Sequence, residues 1–87
     1  MKPLVLVEWL DSAQPVPGWR FCDDLPPLEV IRCQSVGWIL DKNEQVLMLA
    51  PNLGGADSDE PQGCGFIRIP IASITRTVAL REAENTP

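Results

Sequence analysis

Along residues 30–52 two apolar runs flank a polar break. Ile31, Cys33, Ser35, Gly37 and Ile39 alternate with Arg32, Gln34, Val36, Trp38 and Leu40. That period of two marks a strand, in which successive side chains point to opposite faces. The stretch Asp41-Lys42-Asn43-Glu44-Gln45 has the composition of a turn, and the apolar run returns at residues 46–50 before Pro51 and Asn52 end it. The spacing predicts a long hairpin at the middle of a small antiparallel barrel. Upstream, Val5, Val7 and Trp9 alternate with Leu4, Leu6 and Glu8 as a first strand. Asp11 and Ser12 stop it, because their short polar side chains compete for strand hydrogen bonds. Downstream, Ile67, Ile69 and Ile71 alternate with Phe66 and Arg68 until Pro70 intervenes, and residues 71–74 suit a single 3₁₀ turn. Five antiparallel strands are expected near 3–9, 29–41, 45–51, 64–70 and 75–81.

Two segments break the pattern. Residues 13–28 hold Pro15, Pro17, Pro26, Pro27 and Gly18, a density at which no regular element survives. Trp19 and Phe21 lie inside it, which predicts a loop pinned to the body, and long ordered loops of this kind are disproportionately functional. Residues 53–63, LGGADSDEPQG, read as a mobile acidic loop. The order of elements resembles an SH3-like (Sm-like) small barrel, and the Ile-x-Ile-Pro-x-x-x-Ile stretch at residues 67–74 is similar to the closing corner of such domains. A five-stranded OB-type barrel is the rival; it wants a helix between strands three and four, where this chain has only the acidic loop. The fold class read here is all-β, one domain over residues 1–82, with a polar C-terminal tail at 83–87.

Eighty-seven residues leave no room for a second core. A chain this short buries only about 60–65% of its unfolded surface, which favours a homo-oligomer. Seven basic against twelve acidic residues give a net charge of −5, which argues against general nucleic-acid binding. Cys22, Cys33 and Cys64 form no Cys-x-x-Cys pair and the chain has no histidine, so they read as buried free thiols and not as zinc ligands. The apolar patch before Glu8 is too short for a signal core or a membrane span. A soluble protein of a reducing cytoplasm is expected, with no membrane partner and no cofactor.

Catalytic chemistry has few candidates. Without histidine, Cys64 between Gly63 and Gly65 has no base to activate it, and a strand-edge thiol is the plainer reading. Asp23 and Asp24 with Asp11 have no fixed metal-ligand spacing, and Gly54-Gly55 lacks the lysine of a phosphate loop. The expectation is a protein that is not an enzyme. Binding has a better case. Trp9, Asp11 and Ser12 end one strand, and Gly18, Trp19 and Arg20 follow in the loop. A folded-back loop brings indole, guanidinium and short polar groups together, a mixture suited to a planar ligand or a peptide. The competing reading makes Trp9 and Trp38 core and Trp19 a cover over an open barrel end. Arg32 and Arg68 alternate with apolar residues and are expected to face outward. Arg76 shares the parity of Ile74, Val78 and Leu80, which implies either a bulge or a basic group in a pocket or subunit contact.

The ordered motifs Val-Glu-Trp-Leu-Asp-Ser, Gly-Trp, Cys-x-Ser-Val-Gly-Trp, Leu-Ala-Pro-Asn, Gly-Cys-Gly and Ile-x-Ile-Pro, spread over residues 7–80, resemble a family of small bacteriophage and prophage accessory proteins. The resemblance implies action by occupancy inside the host cell cytoplasm, with no established activity. The concrete expectation is stoichiometric capture of a small anionic, nucleotide-like signal that serves host defence. Its site would combine Trp9, Asp11, Ser12, Trp19, Arg20 and Asn52, with Arg68 or Arg76 nearby or across a subunit contact. The alternatives are inhibition of a host protein through the acidic loops at Asp23 and Asp24 and at residues 57–60, or a minor virion role.

Overall fold

The apolar alternation near the N-terminus becomes strand β1 (Leu4–Asp11), and the central run becomes the hairpin β2 (Ile31–Lys42) and β3 (Val46–Ala50). These elements come from a computed structural model that describes residues 2–84. Two short strands follow, β4 (Asn52–Gly54) and β5 (Gln62–Cys64), then β6 (Ile67–Pro70), a 3₁₀ turn (Ile71–Ser73) and β7 (Ile74–Ala79). Five strands form one antiparallel sheet in the order β6-β3-β2-β1-β7, and β4 pairs with β5 as a separate hairpin. The described residues are thus all-β with one 3₁₀ turn, as the periodicity predicts. The sheet is not closed by hydrogen bonds: β6 and β7 are its two edges, yet only Ile71, Ala72 and Ser73 join them. So short a link across all five strands requires the sheet to curl until its edges approach, which the right-handed twist of strands allows.

The concave face of that curl holds the core. Val7, Leu49 and Ile69 are fully buried there, with Val5 and Leu47 beside them. Trp9, Ile39, Ile67, Ile71 and Ile74 pack around this cluster. Facing pairs in the register explain the set: Leu47 lies opposite Ile69 and Leu49 opposite Ile67, so each alternation meets its match. The hairpin turn is held by Asn43, whose Oδ1 accepts from the backbone N–H of Gln45 and of Val46, both at 2.8 Å. Gly37 is required by close approach, since a Cβ there would lie 2.8 Å from the carbonyl oxygen of Ala50.

Three differences from the sequence reading have physical causes. The expected strand at 64–70 is broken at Gly65, whose φ of 80° is a left-handed conformation, and only its second half joins the main sheet. The acidic loop is in large part a hairpin: Asn52, Leu53 and Gly54 pair with Cys64, Gly63 and Gln62, and Ser58 closes the turn by donating from its backbone N–H and its Oγ to the Gly55 carbonyl. The proline-rich segment is not pinned to the body. Asp11 and Ile31 are paired neighbours, and residues 12–30 leave the sheet between them as an arm exposed along its whole length. A radius of gyration of 17.4 Å against about 12 Å for a compact chain of this size records that projection. The tail residues 85–87 lie outside the described residues.

Candidate functional site

The pairing of β1 with β2 and β7 decides which side chains share a surface. Val5, Val7 and Trp9 point to the concave face, so Leu4, Leu6, Glu8 and Leu10 point outward, opposite Trp38, Val36, Gln34 and Arg32 of β2. On the other side Glu8 faces Arg76, and the register shifts before Trp9 meets Ile74, leaving Thr75 as the extra residue of a bulge. That bulge answers the parity conflict at Arg76. The side chain is carried to the outer face, where its Nη1 donates to Glu8 Oε1 at 2.7 Å. Thr75 Oγ1 donates to the Glu8 carbonyl at 3.1 Å and fastens the bulge to β1.

A depression of about 280 Å³ opens at this end of the sheet, lined by Glu8, Trp9, Leu10, Arg32, Gln34 and Thr75 with Cys33. The indole N–H of Trp9 donates to Ser35 Oγ at 3.0 Å, which fixes the ring against the core and leaves its edge to line the depression. Arg32 has no acidic partner among the described residues, whereas Arg76 is paired with Glu8. Of the lining residues, Arg32 and Glu8 carry charge; Arg76 beside Glu8 adds a second cation and Asp11 beside Leu10 a second anion, so the patch is balanced on a chain of net charge −5.

The expected site residues divide among several places. Trp9 lines the depression, while Arg76 stands beside it, paired with Glu8 on the outer face. Asp11 is the last residue of β1 and Ser12 the first of the arm, both exposed. Trp19 and Arg20 lie on the arm and line neither cavity; Trp19 is fully exposed. Asn52 starts β4, donates from Nδ2 to the Cys64 carbonyl at 3.4 Å, and lies beyond Ala50, which pairs with Trp38 opposite Leu4 at the far end of β1. Five residues of strand separate Leu4 from Trp9, about 17 Å. Arg68 is exposed on edge strand β6 opposite Met48. Arg32 faces outward, as its alternation predicts, and lines the depression because Leu10 and Arg32 are register partners.

A second and larger groove, about 770 Å³, runs between the β4–β5 hairpin and the opposite end of the sheet. Trp38, Leu53, Ala56 and Pro61 form its apolar lining, and Lys2, Asp57 and Glu82 its charged one. The sequence held no signal for it, since a hairpin across 52–64 was not expected.

Cys22, Cys33 and Cys64 are free, but Cys22 and Cys64 are exposed instead of buried: one sits on the arm, and the other ends the marginal strand β5. Among the described residues no three cysteine or carboxylate side chains come together as a metal site. No described helix is long and apolar enough to cross a membrane. No family model, no curated protein and no solved structure matches this chain.

Proposed function

We propose that the protein works by stoichiometric binding without turnover, and that its ligand is a small anion of the nucleotide type. The observation that carries this reading is the unpaired Arg32 beside the Arg76–Glu8 pair, in a depression edged by the Trp9 ring. A guanidinium without a carboxylate partner offers two parallel N–H donors to a phosphate, and an incoming anion competes with Glu8 for Arg76. A cavity of about 280 Å³ takes a phosphate with part of the group that bears it, at the small end of ligand sites. In this reading Trp9 and Arg32 line the near site, with Arg76, Asp11 and Ser12 at its border. The curled sheet is an SH3-like (Sm-like) barrel left open, supported by the strand order and the three-residue link between its edges. The resemblance to phage and prophage accessory proteins makes a host-defence signal in the host cytoplasm the biological candidate.

Thermal melting with a panel of cyclic and linear nucleotides tests the proposal. A binding nucleotide raises the melting temperature, and Arg32→Ala or Arg76→Ala weakens it by about 1–3 kcal/mol, the scale of one charge-assisted hydrogen-bonding group. Unchanged melting across the panel, with nothing released when the purified protein is heated, overturns it.

A second reading has its own observation. Asp23 and Asp24 end a turn closed by the Asp24 N–H on the Phe21 carbonyl, and Asp57, Asp59 and Glu60 sit exposed on the β4–β5 turn. Carboxylates held outward on ordered turns suit a protein that blocks the basic cleft of a host protein. Charge reversal in both turns abolishes that association and leaves nucleotide binding intact.

A further inference from the structure

Val16, Trp19, Phe21, Leu25, Leu28 and Val30 are all exposed on a single arm. Soluble monomers scatter such residues singly, and a contiguous set marks a surface that is covered in use. The arm has a shape of its own. It runs out through Gly18, whose φ is 88°, reverses at the turn from Phe21 to Asp24, and returns to Ile31. Gly18 has empty space where a Cβ would stand, so the glycine serves the backbone conformation alone.

The same chain carries a groove that fits this arm. Trp38, Leu53 and Pro61 line about 770 Å³ of open apolar space, enough for aromatic side chains to enter. One charge contact matches as well: Asp57 and Glu82 outnumber Lys2 in the groove, and Arg20 stands between Trp19 and Phe21 on the arm.

The groove lies at the wrong end for the arm's own body. Trp38 is the register partner of Leu4, seven strand residues from the arm's root at Asp11, about 23 Å. Trp19 is eight residues from that root, at most about 28 Å of fully extended chain. Docking at home would turn the arm back along its own sheet and draw the segment before Trp19 nearly straight. In a second copy the arm keeps the outward course seen here, which stretches the molecule to 56 Å.

We propose that two copies of this chain exchange arms, each placing Trp19 and Phe21 in the groove formed by Trp38, Leu53 and Pro61 of the other. The contact is isologous and closes on two copies. It also supplies apolar burial that a small core lacks. The exchange stands apart from the anion site, which lies at the other end of the sheet.

Sedimentation equilibrium over a wide concentration range, paired with fluorine NMR of 5-fluorotryptophan protein, tests it. The expected result is a dimer in which the Trp19 and Trp38 lines, assigned by Trp19→Phe and Trp38→Phe, shift together with concentration while the Trp9 line does not. Trp19→Ala with Phe21→Ala weakens the dimer by 100-fold or more, as loss of two aromatic anchors does, and Leu53→Glu weakens it comparably. Mixing the arm variant with the groove variant regains a heterodimer, because one intact arm then meets one intact groove. That recovery also shows both variants folded. A wild-type monomer up to about 1 mM, a dimer indifferent to the arm variant, a mixture without heterodimer, or a shielded Trp19 line in the monomer each overturns the proposal; the last assigns the groove to the arm of the same chain.

Discussion

Val5, Val7, Leu47, Leu49 and Ile69 are buried in the curled sheet, whereas Val16, Trp19, Phe21, Leu25 and Leu28, no less apolar, stand exposed along the arm. The side chains are of the same kind; what differs is their spacing and the backbone between them. In the sheet every second residue is apolar and every peptide can pair, so strands bring their apolar faces into one layer. In the arm Pro15, Pro17, Pro26 and Pro27 lack the N–H that a ladder needs, and no second face is built for the side chains to share. Burial therefore follows periodicity and hydrogen-bonding capacity together. An apolar segment deprived of both becomes a surface feature.

Hydrogen exchange gives the widest expected contrast. At concentrations low enough to keep the chain monomeric, amides of Val7 and Leu49 exchange through global opening, about 10³-fold or more slower than unprotected rates, while arm amides exchange nearly unprotected. Equal protection in the two regions breaks the comparison. Core truncation comes next: Leu49→Ala or Ile69→Ala lowers stability by about 2–4 kcal/mol in urea unfolding, and Leu28→Ala on the arm changes that of the monomer by less than about 0.5 kcal/mol. Gly37→Ala tests close approach within the sheet. Its methyl group meets the Ala50 carbonyl, for a loss of about 1–3 kcal/mol, while Gly18→Ala meets no atom and, on an unpacked arm, changes monomer stability by less than about 0.5 kcal/mol. The surface pair contributes little as well. Arg76→Ala costs less than about 1 kcal/mol of stability, because the guanidinium is 64% exposed; a larger loss assigns Arg76 a structural part in holding the bulge.

Much of the sheet was legible because it is written in local alternation. Residues 4–9 and 30–50 announce their strands, their faces and the turn between them, and Pro70 announces the 3₁₀ corner. The parity conflict at Arg76 was visible too, and the bulge at Thr75 resolves it. The candidate site was legible only in fragments. Trp9 and Arg76 belong to one end of the sheet, on its two faces, but Asn52 belongs to the other end, and Trp19 and Arg20 lie exposed on the arm. Arg32 looked like an ordinary outward strand residue until register placed it opposite Leu10 and next to the Glu8–Arg76 pair.

By itself the sequence determined the all-β class, the concave set of apolar residues, the proline-rich break and the acidic balance, since each depends on spacing or composition within a few residues. The tertiary structure alone decided that the sheet curls without closing, that residues 52–64 form a hairpin over a groove, and that the arm projects instead of folding back. Those outcomes depend on which strands pair, and in what register, between residues far apart in the chain. Alternation tells each strand which face to bury; it does not name the strand that will cover it.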